Sequence, residues 1–202
     1  GAARAATALH NAMLQQGLQS TLTTASGTRF RIASELDRQL WRLQKSAVTT
    51  WRSPARFGGM SARDINASDA DVVNLHWVTD GFLSIKEIGR INKPVVWSLV
   101  DMWPFAGTEH YGADTLDARW RTGYTKANRA AGEAGVDMDR LAWQRKRRLW
   151  TRPMTIVAAS TWMHERVAAS ALMRTWPARQ IPHVVDTSAF HPVEQSAARE
   201  QL

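Results

Sequence analysis

Two histidines, one aspartate and a short run of aromatic residues hold most of the chemical options in this chain. His76 and Asp101 each close or follow a short apolar run, 71–77 and 94–100. In a parallel α/β sheet, ligands bind at the carboxyl ends of the strands. A histidine there can hydrogen-bond a hydroxyl or a phosphate, or relay a proton; the alternative is a structural imidazole beside Trp77. Asp101 can bind hydroxyls or act as an acid or base, or it can cap the turn before Pro104. Trp103 and Phe105 are either a stacking floor for a ligand or part of the core. His110 and Tyr111 are candidate ligand contacts in the long loop that follows. His10, His164, His183 and His191 are scattered, and their spacing supports no zinc site. There is no G-x-S-x-G, no P-loop and no Ser-His-Asp signature.

A second option is cationic. Arg145, Lys146, Arg147 and Arg148 run between Trp143 and Trp150, which share a helix face seven residues apart. They make either a basic amphipathic surface for anionic lipid or a lipid diphosphate, or the solvated face of a core helix.

The elements that must position these residues follow from periodicity. Segment 2–17 reads as a helix with Ala and Leu on one face, stopped by Gly17. A short strand is expected at 20–24, and a helix at 35–46 capped by Ser34 with Leu36, Leu40 and Leu43 inward. Strand 71–77, helix 82–91 and strand 94–100 make a βαβ unit, and hence a parallel sheet. The nearly unbroken apolar strands predict burial on both faces. Segment 101–134 reads as a long functional or flexible loop. Helix 139–150, strand 154–158, helix 161–170 capped by Ser160 and strand 180–184 complete the alternation, followed by a polar helical stretch. The fold class is α/β, a Rossmann-like parallel sheet with helices on both faces.

Composition narrows the classes. The chain has 202 residues, 44% hydrophobic and 22% charged, enough for a buried core in one domain. No apolar run approaches the ~18 residues of a membrane span, and the first residues lack the layout of a secretory signal. With no cysteine, disulfides and thiolate metal sites are excluded, which is compatible with a cytoplasmic location. The net charge is +8, and 21 of the 26 basic residues are arginine, so anionic partners are expected. Nucleic acid is one such partner, but there is no reader motif and the aromatics do not interleave with the basic residues. The ten tryptophans, spread from Trp41 to Trp176, are expected mostly in the core.

Four segments together carry a resemblance: 1–6 (GAARAA); 73–77 (VNLHW) with 81–84 (GFLS); 94–105 (PVVWSLVDMWPF) with His110-Tyr111; and 156–163 (IVAASTWM) with Ile181-Pro182, Asp186-Thr187 and Phe190-His191-Pro192. In order and spacing the chain resembles the N-terminal domain of bacterial retaining glycosyltransferases of the two-domain GT-B fold. These enzymes build capsules, O-antigens and colanic-acid-type polysaccharides. The resemblance implies an acceptor-side domain over 1–186, lacking a first strand that would precede residue 1. It also implies a linker over 187–202 toward a second domain that holds most of the nucleotide-sugar.

By the same resemblance, His76 and Asp101 are the catalytic candidates, and Trp103, Phe105, His110 and Tyr111 the acceptor contacts. Gly1 and Ala2 face the donor phosphates at a helix N-terminus, and Arg145–Arg148 touch an anionic membrane or a polyprenyl-diphosphate acceptor. No cofactor is implied. The implied location is the cytoplasm, at the periphery of the inner membrane, and this stretch alone is expected to be inactive. Two departures stand out. Val100 replaces a histidine that the family usually carries before the aspartate. Glu109, Thr115 and Tyr124 occupy the neighbourhood where colanic-acid-like members carry cysteines. A non-catalytic sugar- or partner-binding module and a basic nucleic-acid-binding domain are the competing readings.

Overall fold

The computed structural model describes residues 1–46, 50–183, 187 and 191–200. In chain order its elements are α1 (Ala2–Gln15), α2 (Thr28–Trp41), β1 (Gln44–Lys45), α3 (Ala62–Ala67), β2 (Val73–Leu75), α4 (Ile85–Ile88) and β3 (Val95–Leu99). Then come α5 (Arg119–Thr122), β4 (Ala134–Gly135), α6 (Met138–Leu149), β5 (Thr155–Ala158), α7 (Thr161–Ala169), β6 (Ala178–Gln180) and α8 (Gln195–Glu200).

β2, β3, β5 and β6 form one parallel sheet in that order. Leu75 lies opposite Trp97, and Trp97 opposite Ile156. The strands expected at 71–77, 94–100 and 154–158 are therefore parallel neighbours, with β2 at an edge among the described residues, and the chain is α/β with a parallel sheet flanked by helices, compatible with a Rossmann-like fold. β1 and β4 pair separately as a small antiparallel ribbon. The four strands are contiguous, and among the described residues no strand pairs with the outer side of β2.

The two faces of the sheet are covered unequally. Trp97, Leu99, Ile156 and Ala158 share a face and are all buried. On the other face Val96, Thr155 and Val157 are only half-buried, with Ser98 the buried exception. Strand order provides the reason. Successive right-handed crossovers moving in one direction put α4, α6 and α7 on the same side. On the covered face Trp97 packs edge-on against Trp150 at 5.3 Å between ring centroids, and Trp103 lies 6.2 Å away. The indole of Trp150, at the end of α6, donates to the Ile85 carbonyl at 2.8 Å and ties α6 to α4. Gly89 lets these helix ends abut, because a Cβ there would meet the Leu149 carbonyl oxygen at 2.5 Å.

Ser160 caps α7 as expected, accepting from the Met163 amide at 3.1 Å. Elsewhere the elements shift. α2 starts at Thr28, so Ser34 lies inside it, where its hydroxyl donates to Asp80. The buried face of α2 is Phe30, Ala33 and Asp37, while Leu36 and Leu43 are exposed. Segment 20–24 forms no strand, because nothing pairs with it. Segment 101–134 contains α5 and β4, and residues 101–108 are buried rather than open. The last strand is Ala178–Gln180; Val184, Asp186 and Phe190 lie outside the described residues. α1 buries none of its residues. Five tryptophans (97, 103, 120, 143 and 150) are buried, whereas Trp51, Trp77 and Trp162 are exposed. Among the described residues no helix is long and apolar enough to cross a membrane.

Candidate functional site

Because β2 and β3 are parallel neighbours, the residues that follow them emerge at one edge of the sheet. His76 and Trp77 leave β2, and Asp101 to Trp103 leave β3. The Trp97 indole donates to the His76 carbonyl at 3.0 Å and fixes the first turn. The chain then loops out and returns, so that the Met102 amide donates to the His110 carbonyl at 2.9 Å. Asp80 and Gly81, both left-handed, turn the chain away toward α4.

This closure assembles a polar chain in which Asp101 and His110, nine residues apart in the returning loop, are joined by Ser53, 57 residues before His110. Asp101 Oδ2 sits 2.6 Å from His110 Nδ1, and His110 Nε2 sits 2.9 Å from Ser53 Oγ. Asp101 Oδ1 accepts from the Trp103 amide at 3.0 Å. The backbone of Ser53 is clamped on both sides: its amide donates to Thr108 O at 2.7 Å, and its carbonyl accepts from the Trp103 indole at 2.7 Å. The indole of Trp77 also approaches His110 Nδ1, at 3.3 Å. One ring nitrogen cannot donate to Asp101 and accept from Trp77 in the same tautomer. The shorter contact decides it: Nδ1–H belongs to Asp101, Nε2 accepts from Ser53, and Trp77 makes a close approach only.

The connectivity is that of a serine–histidine–carboxylate relay, but Ser53, His110 and Asp101 are only 4%, 2% and 5% exposed. No substrate carbonyl reaches a hydroxyl so enclosed, so the trio braces the loop. Trp103 and Phe105 are buried as well, which corrects their assignment as a stacking floor. Both rings were spent on the core because the loop folds inward over β3. What remains open at this edge is half-buried His76, Trp77 at 36% exposure and Tyr111 at 60%. His76 Nδ1 has no hydrogen-bond partner. Burial, and secondarily His183, hold the His76 imidazole below its ordinary pKa, which favours the neutral ring.

Beneath the loop lies a second polar cluster. Lys146 is 0% exposed. Its ammonium donates to the carbonyls of Ala106 at 3.1 Å and Gly107 at 2.8 Å, and to that of Trp103, and lies 3.8 Å from the Trp103 ring centroid. All three N–H groups are used, which corrects the expectation that Lys146 meets a membrane or an anionic ligand. Burial pushes Lys146 down to about 7, opposed by Glu109, Asp101 and Asp139. Burial likewise raises Glu109 to about 7. Asp139 moves the other way: burial would raise it, but Arg52 at 2.5 Å, with Thr108 and Gln44, brings it down to about 2. Glu109 accepts from the Tyr124 hydroxyl, which in turn accepts from the Gly107 amide at 2.9 Å. Two positions named for the absent cysteines are thus joined by a hydrogen bond, while Thr115 is exposed. Among the described residues no group of three or more His, Asp or Glu could hold a metal ion.

Gly1 is the exposed N-cap residue of α1, apart from the sheet-edge contacts just described. Ala2 begins the same helix. Arg145, Arg147 and Arg148 stay at the surface of α6, half-buried or exposed. Comparison with protein-family models, with curated proteins and with solved structures returned no match. Sequence reasoning missed Ser53 and Arg52, which lie between the helix expected at 35–46 and the strand expected at 71–77. It quoted Trp77 without giving it a role.

Proposed function

We propose that this chain is the acceptor-side, Rossmann-like half of a retaining GT-B glycosyltransferase acting in cell-surface polysaccharide synthesis. One observation carries the reading. Residues from separate resemblance segments (His76, Trp77, Asp101 and His110) come together at the carboxyl edge of two parallel strands, where α/β sheets bind ligands. The accessible members, His76, Trp77 and Tyr111, present a neutral imidazole and two aromatic surfaces, which suits the hydroxyls and C–H faces of a saccharide. Asp101 and His110 act as positioning residues that hold the loop against which Trp77 packs. In the retaining chemistry that the resemblance implies, the donor phosphate takes the acceptor proton, so this half need supply no base. A second domain would hold the nucleotide-sugar, and the site would face the cytoplasm.

The test is a titration of the chain with neutral oligosaccharides from bacterial surface polysaccharides, read by tryptophan fluorescence and by the His76 ring resonances. The reading expects saturable binding that His76→Ala and Trp77→Ala both abolish, and no transfer from any nucleotide-sugar by the chain alone. Absence of saccharide binding, or salt-sensitive DNA binding in its place, would overturn it. Saccharide binding by the intact enzyme without turnover would instead favour the non-catalytic module.

A further inference from the structure

The face formed by α4 and α6 carries a site unrelated to the sheet edge above. α4 runs back from the carboxyl end of β2 to the amino end of β3, and α6 ends just before β5. Their C-terminal ends therefore meet near the amino ends of the strands. Between them lies a cavity of about 310 Å³ lined by Arg56, Lys86, Arg90, Arg145 and Arg148, with Gly89 and Leu149 closing the floor. It opens beside a groove of about 740 Å³ that shares Arg56, Arg145 and Arg148 and is otherwise mainly apolar, with Leu43, Met138 and Leu141 among its walls. The close α4–α6 contact permitted by Gly89 and the Trp150–Ile85 hydrogen bond hold the cations together.

Among the described residues little neutralises them: of these five cations only Arg90 has an ion-pair partner, Glu87 at 3.4 Å, and it is exposed. Arg145 is half-buried, and its Nε is enclosed with no hydrogen-bond partner. Burial, then Arg56 and Arg148, depress the Arg145 pKa, and only Asp37 opposes them. Basic residues at helix C-termini complement the helix dipole, which accounts for Arg148 and Arg90. It does not account for a half-buried guanidinium facing two others. Like charges held this close, beside an apolar groove, are the complement of an anionic head on an apolar tail.

We propose that this cleft binds a phosphate ester bearing an apolar chain, a lipid phosphate, with the phosphate among Arg56, Lys86, Arg145 and Arg148 and the chain along Leu43, Met138 and Leu141. The proposal does not depend on the glycosyltransferase reading, and saccharide binding at Trp77 can succeed or fail independently of it.

The experiment is co-sedimentation of the chain with phosphatidylcholine vesicles, with and without phosphatidic acid, beside calorimetry with inorganic pyrophosphate. Binding is expected only to the vesicles that contain phosphatidic acid. Arg145→Gln/Arg148→Gln should weaken it roughly 30-fold, and Lys86→Gln/Arg90→Gln, on the exposed side of α4, should weaken it comparably. Arg4→Gln/Arg199→Gln removes the same charge from exposed sites elsewhere and should change it less than about threefold. Leu43→Gln/Leu141→Gln should lower vesicle binding and leave pyrophosphate binding unchanged. Equal losses in the cleft and control pairs, equal binding to neutral vesicles, or pyrophosphate binding without vesicle binding would each overturn the proposal.

Discussion

The sheet edge around His110 and the cleft around Arg145 are both rich in ionisable groups, yet they are built on opposite principles. At the edge Asp101, His110, Ser53 and Lys146 find their partners inside the protein and are shut away from water. In the cleft Arg56, Arg145 and Arg148 face one another with a single carboxyl, Asp37, to moderate them. Buried polar groups that are satisfied hold a shape, and removing one strands the others. Charges left facing like charges at a surface hold nothing together internally, and their cost is offset only when something binds.

The largest test of that contrast is Lys146→Met. It removes the cation from three carbonyl oxygens and from Glu109, and should cost about 3–5 kcal/mol in denaturant unfolding. A loss below ~1 kcal/mol would mean that the cluster braces nothing. Next is His110→Ala, which leaves Asp101 Oδ2 and Ser53 Oγ without the imidazole. A cost of about 1–3 kcal/mol is expected, with a shift in Trp77 emission that identifies the loop as what moved.

The third test concerns pH. Burial raises Asp37 from 3.8 to about 6, despite the amides of Arg56 and Phe57 that donate to it at 2.9 and 3.1 Å. The folded state thus holds this proton more tightly than the unfolded chain, so the Asp37 contribution to stability should fall as pH rises from about 4 to about 6, while buried Glu109, raised to about 7, adds a fall of its own that continues toward 7. Asp37→Asn keeps an oxygen for both amides and should remove the Asp37 share of that slope, leaving the fall set by Glu109. It should also tighten phosphate binding by removing the one opposing charge. A slope between pH 4 and 6 unchanged by the substitution would overturn the assignment to Asp37. The smallest effect is expected for Arg147→Gln. Arg147 neighbours Lys146 but is exposed, and it should change stability by less than about 0.5 kcal/mol.

The carboxyl-edge residues were legible because apolar strand runs mark their own ends, and His76 and Asp101 stand at two of them. Which would stay open was not legible. Burial of Trp103 and Phe105 depends on how 101–110 folds back, and no local pattern encodes that path. Ser53 was invisible for the same reason, since its partner lies 57 residues away. Lys146 did leave a signal. Asp139, Ala142, Trp143, Lys146 and Trp150 follow helical spacing and are all buried, but the four-residue basic run masked that phase. α2 differs from the helix expected at 35–46 because its inward face, Phe30, Ala33 and Asp37, includes an acid, and on hydropathy alone the ladder Leu36, Leu40 and Leu43 outranks that face. The Arg145 cleft needed α4, α6 and residue 56 together, and only its α6 part could be read from one segment.

The three carbonyls that Lys146 grips belong to a loop closed before α6 begins in the chain, and the grip has consequences for how the molecule opens. The loop from 101 to 110 has no ladder of its own; its carbonyls point inward to an ammonium carried by a helix some 40 residues further on. Neither piece can loosen without exposing the other's buried polar groups, so they should open as one cooperative unit. In native-state hydrogen exchange, the Met102 and Phe105 amides should then share the opening free energy of the α6 amides, while the amides of α1, which buries no residue, exchange far earlier. The slowest-exchanging unit would thus take in a stretch of irregular backbone, fastened by side chains rather than by a ladder.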